Sequence, residues 1–121
     1  MIANASVPGL TKLPASISPD VITGLLRDQL GFQGLVITDP LSVIALSAIG
    51  YSVPAATVAG LEAGADTVLF DADQSAVAAL TRQIVSAVVS AVGSGKLPRS
   101  RLVSAVTHIL KVKHVQVCPP G

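Results

Sequence analysis

Two acids close two apolar runs in this chain. Leu35-Val36-Ile37-Thr38 ends on Asp39, and Thr67-Val68-Leu69-Phe70 ends on Asp71. Each run is uncharged and contains β-branched residues, so it reads as a short strand buried on both faces. In α/β folds the side chains at the C-terminal ends of parallel strands face the ligand crevice. A carboxylate held there can serve as nucleophile or as general acid/base. Asp39 is the leading candidate for such chemistry. The same position also suits an Asp that caps the following helix, and Asp71 has that alternative too.

The elements around these acids alternate between helix and strand. Met1 to Ala5 is a short apolar start that fits a strand, and Ser6-Val7-Pro8-Gly9 is a turn. Ser18-Pro19 predicts a helix start, with the Ser18 hydroxyl as cap and Pro19 in the first turn. Val21, Ile22, Leu25, Leu26 and Leu30 recur at helical spacing, and Arg27, Asp28 and Gln29 take the exposed side. Gly31 ends that helix. After Asp39-Pro40, Leu41 to Ala48 predicts a short helix, and Pro54 opens another that Gly64 closes. A long helix is expected from about Ser75 to Val92, on Val77, Leu80, Ile84, Val88 and Val92. A last one is expected from about Arg99 to Val115, on Leu102, Val106, Ile109, Leu110 and Val112. The two strands start 32 residues apart, at Leu35 and Thr67, which is the length of one βα unit. Parallel strands with helical crossovers follow. A closed (β/α)8 barrel takes about 250 residues, so three to four such units, less than half a barrel, are expected here.

Composition narrows the partners. Of 121 residues 50% are hydrophobic and 12% charged, and the net charge is +1 with no basic run. That predicts one folded domain with no nucleic-acid or anionic-membrane partner. Cys118 is the single cysteine, which excludes an internal disulfide and a cysteine-based zinc site. Leu41 to Leu61 carries no formal charge and is long enough to span a bilayer, but Gly50-Tyr51-Ser52-Val53-Pro54 interrupts it, so no transmembrane helix is expected. No secretory signal opens the chain, which places it in the cytoplasm by default. Asp66 is expected to organise the turn before its strand. Glu62 is expected in solvent, His108 and His114 as surface or packing residues, and Arg99 and Arg101 as surface charges at a helix start.

Leu13-Pro14-Ala15-Ser16-Ile17-Ser18, Leu26-Arg27 and Leu30-Gly31-Phe32-Gln33-Gly34-Leu35-Val36-Ile37-Thr38-Asp39 resemble family 3 glycoside hydrolases. The resemblance is to the bacterial β-N-acetylglucosaminidase (β-N-acetylhexosaminidase) subgroup in particular. Ala63-Gly64-Ala65-Asp66-Thr67-Val68-Leu69-Phe70 resembles that family's last barrel strand, and Gly95 to Lys113 its final barrel helix. The likeness covers nearly the whole chain, in order. It implies a partial TIM (β/α)8 barrel, about the last three βα units, as the C-terminal part of the barrel domain.

The resemblance also implies a retaining mechanism, with Asp39 as the nucleophile that forms a glycosyl-enzyme intermediate. The implied substrate is a terminal β-linked N-acetylglucosaminide, as in peptidoglycan fragments or chitin oligomers, with no cofactor and no metal. By the same alignment Asn4 lies near the end of the sixth strand and could face the substrate. The subgroup's acid/base motif, of the form Lys-His-Phe-Pro-Gly-His-Gly, does not occur in these residues. Asp71 could lie on the rim beside Asp39, since adjacent strands are about 4.8 Å apart and retaining carboxyl pairs about 5 Å apart. A truncated, nearly inactive hydrolase is therefore expected. Exported relatives would put the parent protein in the cell envelope or outside the cell. The alternative is a non-catalytic relic or interaction fragment that completes a barrel with a partner chain. Open strand edges and an uncovered apolar face would favour self-association in either case.

Overall fold

A computed structural model describes residues 1–115; Cys118 and the rest of the Cys118–Gly121 tail lie outside the described residues. Two parallel strands, β1 (Ile37–Pro40) and β2 (Thr67–Leu69), pair side by side. The first segment adds a single parallel bridge from Ile2 to Thr38 on the other edge of β1. Ile2 N–H donates to Ile37 O and Asp39 N–H to Ile2 O, both at 2.8 Å. The expected opening strand is thus reduced to one residue, and the order is Ile2, β1, β2.

Helices make the crossovers: α1 (Ile44–Ser47) and α2 (Val53–Ala63) after β1, and α3 (Val77–Gly93) and α4 (Arg99–Val112) after β2. The core is strung along α2. Ala56 packs with Ile17, Leu41 and Leu46; Ala63 packs with Ile22, Val36 and Ala65; Val58 and Leu61 pack with Ala91 and Leu97. A helix buried on most of its circumference must be small and apolar all round. Gly60 shows the limit, since a Cβ there would stand 3.2 Å from the Ser16 carbonyl oxygen. Ser52 Oγ caps α2 through Ala55 N–H, and Gly64, at φ 118°, ends it. The apolar stretch from Leu41 to Leu61 is broken as expected, and among the described residues no helix is long and apolar enough to cross a membrane.

Several local expectations are corrected. Asp20–Gln29 is a π-type helix, closed by Leu30 N–H bonding Leu25 O at 2.9 Å, five residues back. Its start is held by the Ser18 carbonyl, which receives Val21 and Ile22 N–H, while the Ser18 hydroxyl donates to Thr11 Oγ1 instead of capping. Leu30, Val106 and Val112 do not face inward: they are 68%, 51% and 54% exposed. β1 lies two residues later than the apolar run suggests. Val36 O takes two N–H groups, from Asp66 and Thr67, and so stands outside the regular ladder.

Candidate active site

Asp39 lies within the C-terminal half of β1, next to Pro40 and half-buried. The register there is irregular: Ile37 faces Thr67 and Pro40 faces Leu69, so three steps of β1 oppose two of β2. An extra residue of this kind bends a strand and re-aims its side chains. At the bulge the buried Thr38 hydroxyl receives Leu69 N–H at 3.2 Å. Leu41 N–H donates to Leu69 O at 2.9 Å just beyond the bulge. On the other edge Asn4 Nδ2 donates to Pro40 O at 2.7 Å, and Ser16 Oγ donates to Asn4 Oδ1 at 2.6 Å.

The backbone that carries Asp39 is therefore tied to a neighbour on each side. Asp39 caps no helix: the residue before α1 is Val43, which offers no side-chain cap. None of the salt bridges among the described residues involves Asp39 or Asp71. Asp71 follows the end of β2, exposed, on the same rim, with its N–H donated to Ser42 Oγ at 2.6 Å. It caps no helix either, since α3 is preceded by Ala76 without a side-chain cap. Beyond β1 lies an open cavity of about 240 Å³, lined by Ser42, Ile44, Ser47, Tyr51 and Ser52 among others.

The structure thus brings Asn4 to the Asp39–Pro40 strand end. It adds Ser16, Thr38 and Ser42, which the sequence reading does not single out. Their only signal is a hydroxyl residue within a short buried segment or directly after a strand. Among the described residues no group of three or more His, Cys, Asp or Glu side chains is placed to hold a metal ion.

A second polar cluster sits at the opposite end of the strands. The Asp66 side chain is fully buried before β2. Its Oδ2 receives Arg27 at 2.7 Å and Val36 N–H at 2.9 Å; its Oδ1 receives Arg101 at 2.5 Å and contacts His108 Nδ1 at 3.0 Å. Burial alone would raise its pKa. The Val36, His108 and Arg101 hydrogen bonds and the Arg27 charge outweigh that and hold the carboxyl below its ordinary value. This corrects the reading of Arg101 as a surface charge, and Arg27 is not an exposed helix-face residue. Asp66 does more than order a turn. Glu62 and His114 are exposed as expected.

Parallel strands joined through helices, with carboxylates gathered at their C-terminal ends, define an α/β wall of the kind that builds barrels. The family model described as the glycosyl hydrolase family 3 N terminal domain matches residues 1–112, and the chain belongs to that family. The match corrects the expectation of C-terminal origin to this extent: the segment lies in the family's N-terminal domain, and the match as such names no part of a barrel. A beta-hexosaminidase of Stenotrophomonas maltophilia (strain K279a) is 41% identical over 69 residues, 57% of this chain and 20% of that protein. A beta-hexosaminidase of Xylella fastidiosa (strain 9a5c) is 30% identical over 113 residues, 89% of this chain and 33% of that one. Among solved structures, a family 3 member from Mycobacterium smegmatis superposes with a TM-score of 0.80 at 35% identity, over 93% of this chain and 34% of that one. A family 3 β-N-acetylglucosaminidase from Paenibacillus sp. str. FPU-7 does so with a TM-score of 0.76 at 33% identity, over 91% and 21%. The chain spans between a fifth and a third of the length of these relatives.

Proposed function

We propose that these residues form part of the active-site wall of a retaining glycoside hydrolase that removes terminal β-linked N-acetylglucosamine, with Asp39 as nucleophile. The observation that carries the reading is the placement of Asp39, in a bulge at the C-terminal end of β1, outside every described salt bridge, on backbone fixed from both sides. Its carboxylate attacks the anomeric carbon and forms a glycosyl ester as the leaving oxygen departs with a proton from an acid. Water, activated by the same group acting as base, then cleaves the ester. These 121 residues contain no Lys-His-Phe-Pro-Gly-His-Gly-like segment, so the acid/base comes from polypeptide outside them. Asp71 is a rim residue beside the sugar. A terminal N-acetylglucosaminide is in keeping with the relatives' names, and peptidoglycan fragments and chitin oligomers are the substrates of choice because both present that sugar. The consecutive parallel order of Ile2, β1 and β2 is in keeping with successive βα units of a barrel.

The test is hydrolysis of a chromogenic N-acetyl-β-glucosaminide by the native polypeptide that carries these residues and by its Asp39→Ala variant. A loss on the order of 10⁴-fold is expected for the variant. Equal rates would remove Asp39 from the chemistry.

One observation favours a second reading, an interaction fragment. Val85, Val89, Val103 and Val106 on α3 and α4 are each more than half exposed. Such a face in isolation draws a partner or a second copy. The 121-residue chain, expressed alone, should sediment as oligomers or aggregates; a monodisperse monomer with a cooperative melt would count against this reading.

A further inference from the structure

We propose that Asn4 is a positioning residue for the nucleophile and does not contact the sugar. This rests on the assignment of Asp39 above. Both ends of the Asn4 amide are already committed within the protein. Nδ2 donates to Pro40 O at 2.7 Å, and Oδ1 accepts the Ser16 hydroxyl at 2.6 Å. Ser16 is fully buried, so its hydroxyl has no water to turn to, and its bond fixes which way the Asn4 amide faces. The amide nitrogen is thereby aimed at the one carbonyl that follows Asp39.

That carbonyl matters because of its surroundings. Pro40 has no N–H to add to the ladder. The bulge spans the same residues, so pairing with β2 is irregular here and is taken up again where Leu41 N–H donates to Leu69 O at 2.9 Å. Three further bonds hold this stretch. Asp39 N–H is held by Ile2 O, Leu69 N–H by Thr38 Oγ1, and Pro40 O by Asn4. The peptide plane immediately after Pro40 is held from both edges, by Leu69 O on its Leu41 N–H and by Asn4 on its Pro40 O, and the Asn4 bond is the side-chain part of that hold on the strand end that carries Asp39. Nucleophilic attack is steep in geometry: a misplacement near 1 Å can cost about a hundredfold in rate.

The experiment uses the native polypeptide that carries these residues and a 2,4-dinitrophenyl N-acetyl-β-glucosaminide. Its leaving group needs no proton, so the nucleophilic step is read apart from the acid. Burst kinetics and intact mass report formation of the glycosyl ester. Asn4→Ala and the isosteric Asn4→Asp, which swaps the donor for an oxygen facing Pro40 O, should slow ester formation about ten- to a hundredfold with the half-saturating sugar concentration unchanged. The Asn4 side-chain N–H protons of the wild type should also be protected from solvent exchange and lie within coupling range of the Pro40 carbonyl carbon. Three results would overturn the inference: a wild-type rate in Asn4→Asp, a loss in sugar affinity with the rate constant intact, or rapidly exchanging Asn4 side-chain protons. Failure of the underlying assignment looks different. In that case the wild type forms no ester, or forms it equally well as Asp39→Asn, and the inference falls with it.

Discussion

Asp66 Oδ2 accepts the backbone N–H of Val36 at 2.9 Å, so a fully buried carboxylate joins the start of one strand to the start of its neighbour. Asp39 lies three residues further along, at the other end of β1. The two acids divide the strand between them. Asp66 is saturated by two guanidinium groups, an imidazole and an N–H, all bonds that hold the π-type helix, β1 and α4 together at one end. Asp39 has its backbone held and its carboxylate outside any described salt bridge at the other end. Conserving that separation of roles is what a barrel scaffold needs, because catalytic groups stand at the C-terminal ends of strands and stabilising ones at the N-terminal ends.

Asp66 should make stability depend on acid. Its folded pKa lies below the unfolded value of about 3.9, because the hydrogen bonds and Arg27 overcome the opposing effect of burial. A depressed carboxylate pKa means that the folded state holds the proton less tightly than the unfolded one. The contribution is therefore fully present above about pH 4 and is lost as pH falls through the folded value. Asp66→Asn leaves Arg27 and Arg101, only 14% and 17% exposed, without their counter-charge. A loss of about 3 kcal/mol is expected at neutral pH, since breaking a buried pair from one side is costly. Urea midpoints of wild type and variant should converge as the pH is lowered below about 4. A constant gap across that range would show that the carboxylate's charge is not what the cluster uses.

The Asp66 cluster also shows where sequence reasoning stops. Gly31, Gly50 and Gly64 mark chain reversals correctly, because a left-handed φ is a local property that the residue type reports. The alternation of helix and parallel strand follows from apolar spacing and is equally local. Ion pairs are not. Arg27, Asp66, Arg101 and His108 are spread over 82 positions, from 27 to 108, and nothing in their spacing says that they converge. An Arg three residues into a helix reads as a surface charge until the strand behind it is placed. The same holds for Asn4 and Ser16, which meet Pro40 only because Ile2 bridges to Thr38. Spacing singles out Asp39 at the end of an apolar run, but the bulge around it is a matter of register between strands, invisible in either strand alone. The π-type winding of Asp20–Gln29 is a further case, since its apolar spacing is ordinary for an α-helix.

Arg101 should resist replacement by lysine. Its guanidinium donates to Leu61 O at 3.1 Å, Gly64 O at 3.3 Å and Ala65 O at 2.8 Å as well as to Asp66. These carbonyls belong to the last turn of α2 and the connection that follows, so one planar group ties α4 to the end of α2. Lysine carries the same charge on a point donor that cannot span this set. Arg101→Lys is expected to lower stability by about 1–3 kcal/mol, through carbonyls left unpaired, with little change in the acid dependence set by Asp66. Denaturant unfolding at pH 7 and pH 3 separates the two effects. A variant as stable as wild type would mean that charge alone holds this corner.

Thr38 tests whether the bulge at Asp39 is a fixed feature or an accident of packing. Its side chain is fully buried, and its hydroxyl accepts the Leu69 N–H at 3.2 Å beside the bulge. Thr38→Val keeps the shape and removes only that acceptor. Two outcomes are open to the strand. It can keep the bulge and lose the side-chain hydrogen bond, at a cost of about 1 kcal/mol, or slip into regular pairing, which turns the Asp39 side chain toward the opposite face. In the first case stability falls and hydrolysis at saturating substrate changes by less than tenfold. In the second case stability is largely retained and hydrolysis is lost, because the carboxylate no longer points at the crevice. Amide exchange at Leu69 distinguishes them, being fast with the bulge kept and slow after the slip. Wild-type stability together with wild-type activity would show that Thr38 Oγ1 does not hold the strand end, and the placement of Asp39 would then rest on the Ile2 and Asn4 side of the strand alone.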